Sequence, residues 1–134
     1  MKKVFGVCLV LLFCSTGLMF SQSRIISSKN MRCTSSVPSE TSQSINYIRW
    51  NWYDDRTIQL VFYYYNGLPT EYLYLKNERN TGSGSNFDAS FSSSQVPLIY
   101  NLTASMSRSG DYYTVFVYKS GQSDVAFGFT MIEQ

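Results

Sequence analysis

The stretch INYIRWNWYDDRTIQLVFYYYNGLPTEYLYL, residues 45–75, decides the fold. Apolar side chains recur there at every second position, which is typical of half-buried β-strands. We predict a first strand near Ile45 to Tyr53, a second near Thr57 to Tyr65, and a third that begins near Thr70. Antiparallel strands joined by such short connections form a meander with one apolar face.

Two turns set the register of this meander. A three-residue loop after Tyr53 places Trp52 opposite Ile58, so that the apolar rows of the first two strands share one face. A slip of one residue would move one row to the other face. The next turn, built around Asn66 to Pro69, has residue types that accept turn dihedrals.

The outer face of the meander is rich in tyrosine. If Tyr65 pairs with Thr70 across the second turn, Tyr63 lies directly opposite Tyr72. Aromatic side chains favour strands and pair well across them, so a structural role explains part of this pattern. A rigid aromatic face with hydroxyl groups is also a suitable platform for a protein or glycan partner. The predicted ligand-binding residues are Tyr63, Tyr65, Tyr72 and Tyr74.

The same alternation continues to the end of the chain. It marks further strands at residues 87–91, 96–102, 112–118 and 125–131, separated by polar connections that include residues 76–85 and 105–110. About seven short antiparallel strands over residues 45–134 predict an all-β domain. We expect a small β-sandwich, and a small closed β-barrel is the alternative.

The N-terminus has the pattern of an export signal. Lys2 and Lys3 precede an apolar run from Val4 to Phe13, and small residues follow. The run is shorter than the roughly 20 apolar residues of a spanning helix. We therefore predict a signal peptide over residues 1–23, a mature chain without a spanning segment, and a secreted, periplasmic or cell-envelope location. Lipid anchoring at Cys14 is the alternative, although Phe13 stands where a small residue is usual.

Residues 24–44 differ in composition from the rest of the chain. They are rich in Ser and Thr and have little apolar periodicity. We predict a flexible leader. In the alternative interpretation, Arg24 to Ile26 add an edge strand to the domain.

Composition limits the chemistry that the chain can perform. It has no His, so Ser-His and Cys-His nucleophile pairs are excluded, and Cys33 is the one Cys after the predicted signal. We predict no catalytic residues, no metal site and no cofactor. Without Lys2 and Lys3 the chain carries nine basic and nine acidic residues. That balance argues against nucleic acid as a partner.

Three functions remain open at this point. The first is an exported, non-catalytic β domain that binds a protein or glycan through aromatic strand faces. The second is a structural subunit of an extracellular or envelope assembly, since unprotected strand edges pair with other chains. The third is a glycan hydrolase built on carboxylates. Its candidate acids are Asp54, Asp55, Glu71, Asp88, Asp111 and Asp124.

Overall fold

The computed structural model of the protein describes residues 23–37, 44–94 and 98–134. These residues form eight strands and no helix, so no helix in the described part could cross a membrane. The strands are β1 (Ile25–Val37), β2 (Ile45–Tyr53), β3 (Ile58–Tyr64), β4 (Glu71–Thr81), β5 (Gly84–Ser93), β6 (Ile99–Ser109), β7 (Tyr112–Lys119) and β8 (Val125–Glu133).

The eight strands form one closed barrel in chain order, and each strand is antiparallel to its neighbours. The all-β prediction is confirmed, and the architecture is the alternative, a small closed barrel, rather than two stacked sheets. The barrel closes where β1 pairs with β8, from Met31 opposite Glu133 to Val37 opposite Gly128. Closure leaves no open sheet edge in the described chain.

Strand β1 corrects the prediction of a flexible leader. Residues 25–37 pair with β2 along their first half and with β8 along their second half. Met31 stands at the change of partner and is fully buried. The stagger of the two ladders follows from the tilt that strands need in a closed barrel. The remaining leader residues 38–43, like the predicted signal and Cys14, lie outside the described residues.

The strands are also longer than the sequence pattern predicts. The predicted loop at 76–85 is a tight turn at Gly82 and Ser83, since β4 runs to Thr81 and β5 begins at Gly84. The predicted turn at 105–110 is strand as far as Ser109. Backbone pairing continues there although most of the side chains are polar and exposed; Met106, which packs against the core, is an exception.

Inward-facing side chains form one core. The predicted register of β2 and β3 is confirmed, with Trp52 opposite Ile58 and Trp50 opposite Leu60. Both faces of these strands therefore have the predicted orientation, and Trp50 is almost completely buried. The largest fully buried side chains are those of Trp50, Phe87, Met31, Ile48, Leu60, Leu73, Leu75, Met131, Val115 and Val117.

Candidate functional site

An apolar cavity opens at one end of the barrel. Its volume is about 440 Å³, within the range of small-molecule pockets. It lies where β1, β3 and β5 end and where β2, β4, β6 and β8 begin, so seven of the eight described strands contribute to its wall. The lining residues are Ser36, Val37, Ile45, Phe62, Tyr64, Glu71, Phe91, Ile99, Leu102, Ala126, Phe127, Gly128 and Phe129.

Four phenylalanine rings make up much of the cavity wall. Phe62 and Phe129 pack edge to face, with ring centroids 5.0 Å apart and planes at 89°. Phe91 and Phe127 form a second such pair at 5.7 Å and 63°. Edge-to-face packing is a favoured aromatic geometry, so these pairs hold the rings in fixed orientations. The cavity therefore has a preformed apolar wall.

One polar pair lies in this apolar wall. The Tyr64 hydroxyl donates a hydrogen bond of 3.0 Å to Oε2 of Glu71. Both residues face inward because they continue the apolar rows of β3 and β4, two positions beyond Phe62 and two before Leu73. Burial raises the pKa of Tyr64, and the Glu71 carboxylate raises it further. At neutral pH the phenol is therefore protonated and acts as the donor to Glu71.

Cys33 packs against the core beside this end of β1. Its Sγ donates to the backbone oxygen of Ser35 at 3.4 Å, next to a β-bulge between Cys33 and Ser35. Burial raises the pKa of the Cys33 thiol, so the thiol is neutral at physiological pH. A neutral, half-buried thiol behaves as a small apolar side chain.

Exposed apolar side chains surround the mouth of the cavity. They belong to the strand ends and connections at the same end of the barrel: Val37, Tyr65, Leu68, Leu98, Ile99, Tyr100 and Val125. Contiguous exposed apolar surface is common at ligand-binding grooves and interaction sites. Two of these exposed side chains, Val37 and Ile99, also line the cavity.

The opposite end of the barrel is plugged. Lys29 Nζ lies 4.9 Å from the ring centroid of Trp50 and 5.0 Å from those of Trp52 and Tyr113. Oε2 of Glu133 lies 3.6 Å from the same ammonium. Cation–π attraction and the ion pair offset the desolvation of Lys29. The interior is therefore accessible from the cavity end and filled at the other.

The predicted ligand-binding tyrosines lie outside the cavity. Tyr63, Tyr72 and Tyr74 are half-buried on the outer wall, while Tyr65 follows the end of β3 and is 66% exposed. Tyr63 does not face Tyr72, because the β3–β4 ladder pairs Val61 with Tyr72. The predicted register is therefore wrong by two residues, an even shift that preserves the faces.

Ring stacking organises these tyrosines differently from the prediction. Tyr63 stacks on Tyr47 of β2, with centroids 4.5 Å apart and 16° between the planes. Tyr72 and Tyr74 lie nearly parallel on β4, at 6.5 Å and 16°. The structure thus forms two stacked tyrosine pairs, one between β2 and β3 and one within β4, and not the predicted cross-strand pair of Tyr63 and Tyr72.

A hydrogen-bonded polar row crosses the same outer wall. Ser28, Asn51, Gln59 and Tyr74 occupy paired positions on β1 to β4. Ser28 donates to Asn51 Oδ1, Asn51 Nδ2 donates to Gln59 Oε1 at 2.9 Å, and Gln59 Nε2 donates to the Tyr74 hydroxyl at 3.3 Å. These bonds satisfy the buried Asn51 amide and fix the Tyr74 hydroxyl, which gives Tyr74 a structural role.

The six candidate acids are dispersed. Asp54 and Asp55 lie at the plugged end and hold the first described residues of the chain. Asp54 Oδ1 accepts a hydrogen bond from the backbone N–H of Arg24 at 3.1 Å. Asp55 Oδ2 accepts a hydrogen bond from Ser23 Oγ at 2.6 Å. Asp88 lies on β5, Asp111 and Asp124 lie in turns, and Glu71 lines the cavity. Among the described residues, no group of three or more His, Cys, Asp or Glu is arranged to hold a metal ion.

Sequence reasoning missed the cavity, although one signal for it was available. Glu71 stands in phase with the inward residues Leu73 and Leu75, and a carboxylate on an apolar row marks a place where the interior is not closely packed.

The fold and the site together define a class: an eight-stranded up-and-down antiparallel barrel with an apolar cavity at one end. No protein-family model matches the chain, and neither a curated protein nor a solved structure matches it.

Proposed function

We propose that this protein binds a small apolar molecule inside the open end of its barrel and does not alter it chemically. The observation that carries the proposal is the cavity of about 440 Å³ with its four phenylalanine rings. That volume lies within the roughly 300–1,000 Å³ of small-molecule pockets, and a mostly apolar lining with few polar groups is typical of such pockets.

The asymmetry of the barrel supports the same function. One end is filled by Lys29 and its aromatic neighbours, and the other has an apolar mouth. A ligand would enter through the mouth and rest on the closely packed core below it. The export predicted from residues 1–23 is part of this proposal, which then describes an extracytoplasmic carrier or scavenger of an apolar compound.

A fluorescence titration with a cavity-blocking variant tests the proposal. The probe is N-phenyl-1-naphthylamine, a neutral apolar dye whose emission rises in apolar surroundings. The unaltered protein should bind the dye saturably with one site per chain. Ala126 lines the mouth and is exposed, so Ala126→Trp should fill the opening without disturbing the core. We expect at least about a tenfold loss of affinity, equivalent to ~1.4 kcal/mol.

The nearby substitution Ser123→Trp is the matched control. Ser123 is also exposed, on the connection between β7 and β8, but it neither lines the cavity nor belongs to its mouth, so this variant adds the same ring away from the site. It should bind the dye as the unaltered protein does, and circular dichroism should show that both variants keep the β fold. Equal dye affinity in the two variants, or no saturable binding by the unaltered protein, would contradict the proposal.

The outer tyrosine wall supports a second candidate function, the binding of a protein or glycan. The observation in its favour is the nearly parallel pair Tyr72 and Tyr74, whose rings are half-exposed. Successive sugar rings or a flat protein surface could lie against such a pair. The Ala126→Trp variant separates the two functions, because a partner bound by the outer wall would bind this variant with unchanged affinity.

A further inference from the structure

We infer that the cavity selects amphiphiles whose polar head donates hydrogen bonds, such as long-chain amines and alcohols, and that it rejects the corresponding carboxylates. This inference rests on the proposed function and specifies the chemistry of its ligand. It is carried by the position of Glu71, whose carboxylate lies in the cavity wall and is hydrogen-bonded to Tyr64.

Glu71 has the right position to meet the head of a ligand. It is the first residue of β4 and pairs with Phe62 on β3 and Ser93 on β5. It therefore lies at the start of its strand, near the rim, and is only partly buried, whereas Phe62 and Phe129 belong to the buried core. A ligand that enters tail first would leave its head group beside this carboxylate.

The charge balance of the wall favours one kind of head group. Glu71 is the one charged side chain among the described lining residues, and it forms no ion pair with a described Lys or Arg. A ligand carboxylate would bring a second negative charge close to Glu71 in apolar surroundings, where like charges repel strongly. An ammonium group would instead form a charge-assisted hydrogen bond with it.

The hydrogen-bonding capacity of the pair points the same way. A carboxylate can accept about four hydrogen bonds, and the bond from Tyr64 uses one of these positions. The Tyr64 hydroxyl uses its one hydrogen in the hydrogen bond to Glu71, so it can only accept a further hydrogen bond. The Tyr64–Glu71 pair thus presents acceptors to the cavity, which a hydroxyl or ammonium head satisfies and a carboxylate head does not.

Three ligands of equal chain length test this selectivity by displacement of N-phenyl-1-naphthylamine: dodecylamine, dodecanol and dodecanoate, each below its micelle-forming concentration. At pH 7 the amine is an ammonium and the acid is a carboxylate. We expect the amine to bind most tightly, the alcohol next, and the carboxylate roughly 10- to 100-fold more weakly than the amine. Equal affinities, or tightest binding of dodecanoate, would overturn the inference.

Two variants assign the selectivity to the carboxylate. Glu71→Gln keeps the size and removes the charge, so the advantage of dodecylamine over dodecanoate should shrink by at least about tenfold. Tyr64→Phe keeps the charge and removes the hydroxyl, so the preference for the amine should persist. Unchanged selectivity in Glu71→Gln would refute the role of Glu71. Failure of the dye and of all three dodecyl compounds to bind would refute the proposed function itself, whereas binding without discrimination would refute only the selectivity.

Discussion

Gly84 is the position at which a single added methyl group should test the barrel geometry most directly. A Cβ placed on Gly84 would lie 2.2 Å from the backbone oxygen of Met106 on the neighbouring strand β6. Carbon–oxygen contacts between strands are normally about 3.3 Å or longer. The obstacle is backbone, which cannot rotate away as a side chain would, so β5 and β6 must separate locally by roughly 1 Å.

That separation has an estimable energy. It strains or breaks the ladder beside the β4–β5 turn, where Ser85 pairs with Met106. Overpacking of this kind costs about 1–3 kcal/mol, and a lost hydrogen bond contributes about 1 kcal/mol of such a change. For a domain of this size we expect Gly84→Ala to lower the melting temperature by roughly 5–15 °C.

Urea unfolding followed by circular dichroism measures the effect, and the same turn offers a matched control. A Cβ on Gly82 would meet no atom within 4 Å. Gly82→Ala should therefore stay within about 0.5 kcal/mol of the unaltered protein. The two variants differ only in which of two nearby glycines receives the methyl group. Equal unfolding midpoints for both would refute the close approach of β5 and β6.

Two further predictions concern the plugged end. Lys29→Ala should lower the unfolding free energy by about 1–2 kcal/mol, because the ammonium lies against three aromatic rings. Arg32 occupies an exposed position on the same strand, so Arg32→Ala should have little effect. Equal losses of unfolding free energy in the two variants, measured by chemical unfolding, would contradict the plug. Hydrogen bonds from Ser23 and Thr57 lower the pKa of Asp55 to about 2 from its ordinary 3.8. Because the folded-state pKa is depressed, the stabilisation is complete above about pH 4 and is lost as the pH falls toward 2. Asp55→Asn should flatten that part of an acid-unfolding curve, and a curve of unchanged slope would contradict the assignment.

The strands that bury a full apolar row could be predicted from the sequence. The faces of β2, β3 and β4 follow from alternation alone, and the short loop after Tyr53 fixes the β2–β3 register. The β3–β4 register could not be fixed in the same way. The β3–β4 ladder ends with Phe62 opposite Glu71, so the connection spans residues 63–70 and is twice as long as the predicted four-residue turn. A turn sequence does not reveal how many flanking residues leave the ladder.

Strand β1 explains why the barrel was not the preferred architecture. It is held by backbone ladders on both sides and places few large apolar side chains inside: Met31 is buried, whereas Ile25 and Ile26 are exposed. Hydrophobic periodicity cannot detect a strand whose stability comes mostly from main-chain pairing. Without it, the seven strands of residues 45–134 would have two open edges, and packing one part of the sheet on another is the usual way to bury such a sheet.

The cavity depends on a property that a linear pattern does not contain, namely how inward side chains from opposite walls fill the space between them. At the plugged end, Trp50 of β2 packs edge to face on Tyr113 of β7 across the interior, and Lys29 lies against both rings. At the other end, small residues such as Ser36 and Ala126 share the wall with phenylalanine, and Glu71 occupies a position that an apolar residue would otherwise fill. A carboxylate near an apolar interior is retained at a cost in desolvation. The same feature that weakens the packing at this end is the one that would give a ligand its specificity.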